Sequence, residues 1–356
     1  MEREVTMPKL GMTMTYGVLV RWHKQNGEVV AAGEPICEVE TDKLNSEIEA
    51  DASGILTIHA EEGEEFAVGA ILGKIAVIEG SELLATKKET QAVGGTQESI
   101  ATNGIHLAMQ RIGSGAPLVL IHGLASSMSL WAGLDQGQLE GVEIISYDLR
   151  GHGASERATG AHTLAKHVAD LKGLLAALSI SRATFAGLSL GGMIAIELAA
   201  SNPDMVAGLA LLDTTAMFPQ ATRDLFFELA SSASFNGMPA ITDKFMQLSF
   251  TQQFMDANPK MTTTIRKGML ASDAASIAAA SRMVAKIDLR QRLSAIQCPT
   301  LVIVGARDQL TPPALAEELA AGIKGAQLYV IAESGHASPV EQPQAVTALL
   351  AQLVKA

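Results

Sequence analysis

Ser189 stands in Gly187-Leu188-Ser189-Leu190-Gly191, between an apolar run at 183–186 and a helix-compatible run at 191–200. A chain that leaves an extended segment and enters a helix across one residue must turn sharply. The two glycines clear the space that such a turn needs. This junction constrains the fold more than any other stretch. It demands a strand buried on both faces, because residues 183–186 are apolar without alternation, and a helix that packs back on the same sheet. The alternation continues on both sides. Strand-like runs fall at 118–121, 142–147, 209–212, 301–304 and 327–331, with helical stretches at 164–178 and 313–321. The pattern predicts a mostly parallel sheet covered by helices from residue 105 to 356.

A serine held on such a turn, at the head of a helix, is placed to act as a nucleophile, and the helix N-terminus favours negative charge developing beside it. A general base and an acid that orients it must then follow in the chain. His336, in Ser334-Gly335-His336, follows the last strand-like run and fits the base. Asp308, in Gly305-Ala306-Arg307-Asp308, follows the run before it and fits the acid; Asp213, after the run at 209–212, is the second candidate. The backbone N–H groups of Leu124 and Leu190 are expected to form the oxyanion hole, with His122 buttressing the loop His122-Gly123-Leu124. Residues 214–298 lack sheet-like alternation and are rich in Phe and Met, which predicts a helical cap. Most of these side chains should pack cap against core, and a minority should line an adaptable acyl or arm channel. Trp131 is expected either near the pocket mouth or in the core. Residues 105–356 resemble the α/β-hydrolase superfamily, on these features together with Asp148-Leu149-Arg150-Gly151-His152-Gly153-Ala154-Ser155 and Pro299-Thr300-Leu301. The resemblance implies a structural rather than catalytic His152.

The first 78 residues obey a different rule. Gly17, Gly27, Gly33, Ile36 and Val39 recur as Gly54, Gly63, Gly69, Leu72 and Ile75, at offsets of 36 or 37 residues. Two copies make no solenoid but suit two similar sheets related by a pseudo-two-fold axis. Strands are expected at 17–22, 36–40, 55–59 and 71–77, giving a small all-β barrel-sandwich. Lys43 falls where the copies join, in Glu40-Thr41-Asp42-Lys43-Leu44-Asn45-Ser46, and Asp, Asn and Ser there favour a turn. A lysine at such a tip is either an ordinary surface residue or a presented one, and the symmetry favours presentation. With Met7-Pro8-Lys9-Leu10-Gly11 in front, this region resembles the lipoyl domains of 2-oxoacid-dehydrogenase-type complexes. That resemblance implies lipoate on Lys43. Biotin carriers share the fold but usually flank the lysine with Met, where this chain has Asp42 and Leu44.

Residues 79–104 are expected to form a flexible linker, rich in Gln, Thr, Ser, Ala, Glu and Gly. As a coil it would span roughly 25–30 Å. It is too short for the subunit-binding domain usual in lipoyl-bearing acyltransferases. Charge is uneven: residues 1–80 hold 15 acidic and 6 basic residues, against 23 and 20 in the rest. The acidic excess argues against a nucleic-acid partner. It leaves open whether the first domain simply has a solvated acidic face or is steered to basic partners. No apolar run reaches the roughly 18–20 residues that span a bilayer, and the N-terminus has no apolar signal core, so no membrane partner and a cytoplasmic location are expected. Cys37 and Cys298 match no metal spacing and read as two reduced thiols.

Together the two halves form a multi-domain chain, a small all-β lipoyl (biotinyl/lipoyl-like) barrel-sandwich followed by an α/β-hydrolase fold with a helical cap. The whole resembles the dihydrolipoyl acetyltransferase components of bacterial acetoin dehydrogenase complexes. The resemblance implies an acyltransferase that carries acetyl on lipoyl-Lys43 and passes it to coenzyme A. Its implied partners are a thiamine-diphosphate-dependent acetoin-cleaving enzyme, a dihydrolipoamide dehydrogenase, and a lipoate ligase or lipoyl transferase. The His-x-x-x-Asp-Gly motif of the usual acyltransferase domain is missing, since the chain has no Asp-Gly dipeptide. Transfer must then run on the hydrolase-type site or on another subunit. A serine thioesterase or esterase with an attached carrier domain is the alternative, and a scaffold with an idle second domain the third reading.

Overall fold

The structure is a computed structural model that describes residues 2–9, 14–24, 26–30, 34–40, 45–52, 54–77, 97–157 and 160–355. It divides into two compact units, Met1–Ala92 and Val93–Ala356.

The first unit has eight strands: β1 (Glu2–Thr6), β2 (Tyr16–Trp22), β3 (Val29–Val30), β4 (Pro35–Glu40), β5 (Asn45–Glu49), β6 (Gly54–Ile58), β7 (Glu65–Ala67) and β8 (Ile71–Val77). They form two four-stranded sheets, ordered β1-β8-β6-β3 and β5-β4-β2-β7. Replacing each strand of one order by its repeat mate gives the other order, so the doubled sequence is realised as doubled structure. The repeated apolar positions Ile36, Val39, Leu72 and Ile75 are all fully buried in one core. The repeated glycines are explained too. Gly27 and Gly63 have φ of 86° and 84°, where a side chain is strained. At Gly54 a Cβ would meet the Ala76 carbonyl oxygen at 2.1 Å. Four strands, β1, β3, β5 and β7, escape a reading of apolar runs because two are very short and two are mostly polar. β4 and β5 pair antiparallel up to Glu40–Asn45. Lys43, between them, lies outside the described residues.

The second unit is built on an eight-stranded sheet of β9 (Gln97–Thr102), β10 (Ile105–Gly113), β11 (Ala116–Ile121), β12 (Val142–Tyr147), β13 (Ala183–Leu188), β14 (Val206–Leu212), β15 (Thr300–Gly305) and β16 (Gln327–Ile331). The order is β16-β15-β14-β13-β11-β12-β10-β9. The six strands from β11 to β16 run parallel, and β9 and β10 are antiparallel. β13 and β15 are buried at every position, which is why they read as unbroken apolar runs. Helices α1 (Leu164–Ala177), α2 (Leu190–Ser201), α8 (Pro313–Gly322), α9 (Ser338–Glu341) and α10 (Pro343–Val354) accompany the sheet. Separate apolar clusters cover its two faces.

The cap is helical, as expected, with α3 (Gln220–Asn236), α4 (Pro239–Ser249), α5 (Gln252–Ala257), α6 (Pro259–Leu270) and α7 (Ala274–Val284) between β14 and β15. Phe218, Met238 and Met246 are buried in packing, whereas Phe235 is 86% exposed. Trp131 is buried in the apolar cluster on one sheet face and does not line the cavity described below.

One boundary differs from expectation. The linker was expected to run to residue 104, but 97–102 form β9, paired with β10 over six residues. Asn103 also donates to Asp170 on α1 at 2.8 Å. β9 is mostly exposed along its length, so composition alone makes this edge strand look like tether. Its order comes from backbone pairing.

Candidate active site

Ser189 follows β13 at the N-cap of α2 with φ 53° and ψ −115°. A non-glycine residue held there costs on the order of 1–3 kcal/mol, and the surroundings must enforce it. They do so through the backbone. Ser189 N–H donates to the Leu212 carbonyl at 2.9 Å, and its own carbonyl accepts from Met193 N–H and from Thr214 Oγ1 at 3.1 and 2.7 Å. Neither flanking glycine can be replaced freely. A Cβ at Gly187 would lie 2.4 Å from the Gly191 backbone, and one at Gly191 would lie 2.1 Å from the Ile121 carbonyl oxygen.

Asp308 follows β15 and His336 follows β16. The structure brings them together: His336 Nδ1 lies 2.8 Å from Asp308 Oδ2. Asp308 is then fully engaged, because Oδ1 accepts from the N–H groups of Leu310 and Thr311, and Oδ2 from Thr311 Oγ1 at 2.6 Å. Thr311, which sequence reasoning missed, thus locks the acid side chain. Burial works to raise the Asp308 pKa, but the His336 charge and these hydrogen bonds hold it below the usual carboxylate value. Burial likewise opposes charge on His336, and the Asp308 carboxylate outweighs it, so His336 is raised. An imidazole made more basic by a buried carboxylate is suited to take a proton.

Ser189 and His336 both line a cavity of about 590 Å³. Its walls come from the loop after β11, which includes Gly123 and Leu124, and from Phe226, Phe245, Phe250 and Met269 of the cap. Leu190 is buried at the first position of α2. Among the described residues, neither Leu124 N–H nor Leu190 N–H has a protein acceptor, as an oxyanion site requires. His122 is fully buried, accepts from Leu149 N–H through Nε2 at 2.9 Å and donates from Nδ1 to the Gly123 carbonyl at 2.7 Å. It therefore pins the Leu124 loop. His152 is buried, bonded to the Arg150 carbonyl, and does not line the cavity.

Asp213, the second candidate for the acid, is occupied elsewhere. Its two oxygens accept from Gly305 N–H and Ser338 N–H at 2.8 and 2.9 Å. It ties the strand before Asp308 to the segment after His336. Burial, then the Asp308 charge, push its pKa up to about 7. Glu341 plays a similar part: its carboxylate accepts from Gly335 N–H at 3.0 Å and from Thr251 Oγ1 at 2.5 Å, joining the His336 loop to the cap. Both were invisible as partners in sequence, because each contact is with backbone or with a distant loop.

The comparisons agree with the two-part organisation. Residues 116–343 match the family model described as alpha/beta hydrolase fold. Residues 3–75 match the biotin/lipoyl model described as biotin-requiring enzyme. The chain is 29% identical to the dihydrolipoyllysine-residue acetyltransferase component of the acetoin cleaving system of Pseudomonas putida, over 96% of this chain and 95% of that protein. It is 28% identical to the component of the same name from Cupriavidus necator, over 97% and 96%. The crystal structure of the enol-lactonase from Burkholderia xenovorans superimposes with a TM-score of 0.70 at 30% identity, covering 73% of this chain and 100% of that one. The chain belongs to the α/β-hydrolase fold family, joined to an N-terminal lipoyl-type domain, and along nearly its whole length it is similar to the acetyltransferase components of acetoin-cleaving systems.

Proposed function

We propose that the chain is a lipoylated acyltransferase that passes an acyl group, acetyl foremost, from a thioester to coenzyme A through Ser189. The observation that carries the reading is the His336–Asp308 pair at 2.8 Å, with His336 and Ser189 lining the same apolar cavity. The lipoyl-type unit in the same chain favours a thioester as the acyl donor.

His336 would take the Ser189 hydroxyl proton as Oγ bonds to the thioester carbonyl carbon. The C–S bond then breaks, and the departing thiol receives that proton from His336. In the second half the coenzyme A thiol gives its proton to His336 and attacks the ester carbon, and Ser189 Oγ leaves with the proton. Asp308 holds the imidazole tautomer and stabilises its charged form. The N–H groups of Leu124 and Leu190 would stabilise the oxyanion of each step. Lys43 would hold lipoate as an amide; the strands on either side of it in sequence, β4 and β5, pair antiparallel. When bound, lipoate supplies a thiol on a long arm, able to carry an acyl group. A thiamine-diphosphate-dependent acetoin-cleaving enzyme would load that arm, a dihydrolipoamide dehydrogenase would reoxidise it, and a lipoate ligase or lipoyl transferase would attach it.

Hydrolysis, with water as the acceptor, is the second reading. It is favoured by the similarity of the second unit to a lactonase along that enzyme's full length. The deciding experiment supplies acetyl-dihydrolipoamide with and without coenzyme A. Formation of acetyl-CoA that is lost in Ser189→Ala supports transfer; free acetate at the same rate in both conditions rejects it. Peptide mapping after growth with lipoate should find one lipoyl adduct, on Lys43, and biotin there would refute the carrier assignment.

A further inference from the structure

The cavity beside Ser189 is much larger than an acetyl group needs. At about 590 Å³ it has the size of sites that enclose drug-sized ligands. Much of its wall is hydrocarbon: Leu130 after β11, Phe226 on α3, Phe245 on α4, Phe250 after it, and Ile265 and Met269 on α6. Among the described residues that line it, His336 is the only one with an ionisable side chain; the other polar side chains are serine and threonine hydroxyls. A carboxylate or phosphate inside would lose its hydration with no fixed cation to replace it. A hydrocarbon chain would lose nothing and would gain from leaving water.

We propose that this cavity takes an uncharged hydrocarbon chain, well beyond acetyl in length, attached to the carbonyl that reacts at Ser189. The inference rests on the acyl-serine reading above and adds the substrate class. Such a chain has two sources, the acyl group itself or the thiol that carries it. An extended arm bearing acetyl and a medium-chain acyl group present the same chemistry to these walls.

The test uses the full-length chain and two substrate series. The first is p-nitrophenyl acetate, butyrate, hexanoate and octanoate, which lengthens the acyl side. The second is the S-acetyl thioesters of ethanethiol, butanethiol and octanethiol, which lengthens the thiol side. In at least one series kcat/KM should rise roughly fourfold per buried methylene until the cavity is filled. A rise in the first assigns the chain to the acyl group, and a rise in the second assigns it to the carrier arm. Mono-p-nitrophenyl adipate matches the hexanoate ester in length but ends in a carboxylate, and where the first series rises it should be at least tenfold poorer. Flat or falling values in both series, or a rise in the first series with an adipate ester as good as the hexanoate ester, would overturn the inference. Met269→Trp, which adds bulk to the cap wall, should lower the long-to-short ratio in the rising series at least tenfold; an unchanged ratio also overturns it. Turnover surviving in Ser189→Ala would sink the acyl-serine reading instead, while Ser189-dependent turnover without chain dependence would sink only the cavity's substrate class.

Discussion

The two units solve opposite problems. The first repeats one short pattern, and its candidate functional residue, Lys43, sits between the copies in sequence. The second gathers Ser189, Asp308 and His336 from the ends of three strands of one sheet. The first also carries three quarters of the chain's net charge of −12. A carrier has only to present a side chain, so its chemistry can be local in sequence. A nucleophilic site must hold three groups within hydrogen-bond reach, so it depends on a large rigid core that fixes loops far apart in the chain.

The strongest way to break this comparison is to remove the convergent site. Ser189→Ala and His336→Ala should each lower acyl transfer by several orders of magnitude, and the double variant should be little worse than either. Acetyl-CoA formation by the purified variants measures this; a full rate in Ser189→Ala would mean that the thiol attacks the thioester directly. Asp308→Asn should follow, with a loss of roughly 10²–10⁴ in kcat, because Asn can stabilise the wrong imidazole tautomer. Thr311 makes the same point: Thr311→Val, which frees Asp308 Oδ2 of one donor, should cost less than Asp308→Asn.

Acid should separate the two units. In the second, burial lowers His122, His152 and His162 to about 4 and His167 well below its ordinary value. The unfolded chain, with imidazoles near 6.5, binds more protons than the folded one between these values. Stability is therefore present in full above pH 6.5 and is lost as pH falls through about 4. Asp148, Asp213 and Glu341, raised by burial, and His336, raised by the Asp308 carboxylate, act in the opposite sense, while the lowered Asp273, Asp288 and Asp308 act with the imidazoles towards the acid end. Among the described residues the first unit has no fully buried histidine. Calorimetry across this range should show the transition of the second unit collapsing first.

Smaller effects sharpen the boundary and the supports. A fragment starting at residue 97 should melt higher than one starting at 105, because the latter lacks β9 and its six pairings. Equal melting temperatures would return β9 to the linker. Asp213→Asn should cost about 1–3 kcal/mol of stability, since an amide cannot accept from both Gly305 and Ser338, but should lower turnover less than Asp308→Asn. A larger kinetic loss at Asp213 would make it the acid.

Several of these features were legible in the sequence, and for identifiable reasons. Parallel strands buried on both faces announce themselves as apolar runs, so the sheet from β11 to β15 could be read directly, and the edge strand β16 was legible from its apolar residues despite its exposure. The elbow glycines could be read because no other residue fits at Gly187 and Gly191. The edge strands β1, β5 and β9 could not, since half-exposed polar strands lack that signature.

The sequence by itself determined the doubled first unit, the alternating second one, and the order serine, aspartate, histidine. All three are carried by periodicity and by residue types that tolerate few conformations. Tertiary structure alone decided which aspartate faces His336 and which braces the loops. Asp213 and Asp308 both follow sheet strands, and only the path of the chain beyond each strand separates a carboxylate paired with imidazole from one bound to backbone N–H groups. It alone also made the cavity, whose apolar walls come from elements more than a hundred residues apart and whose volume is set by how the cap closes over the sheet.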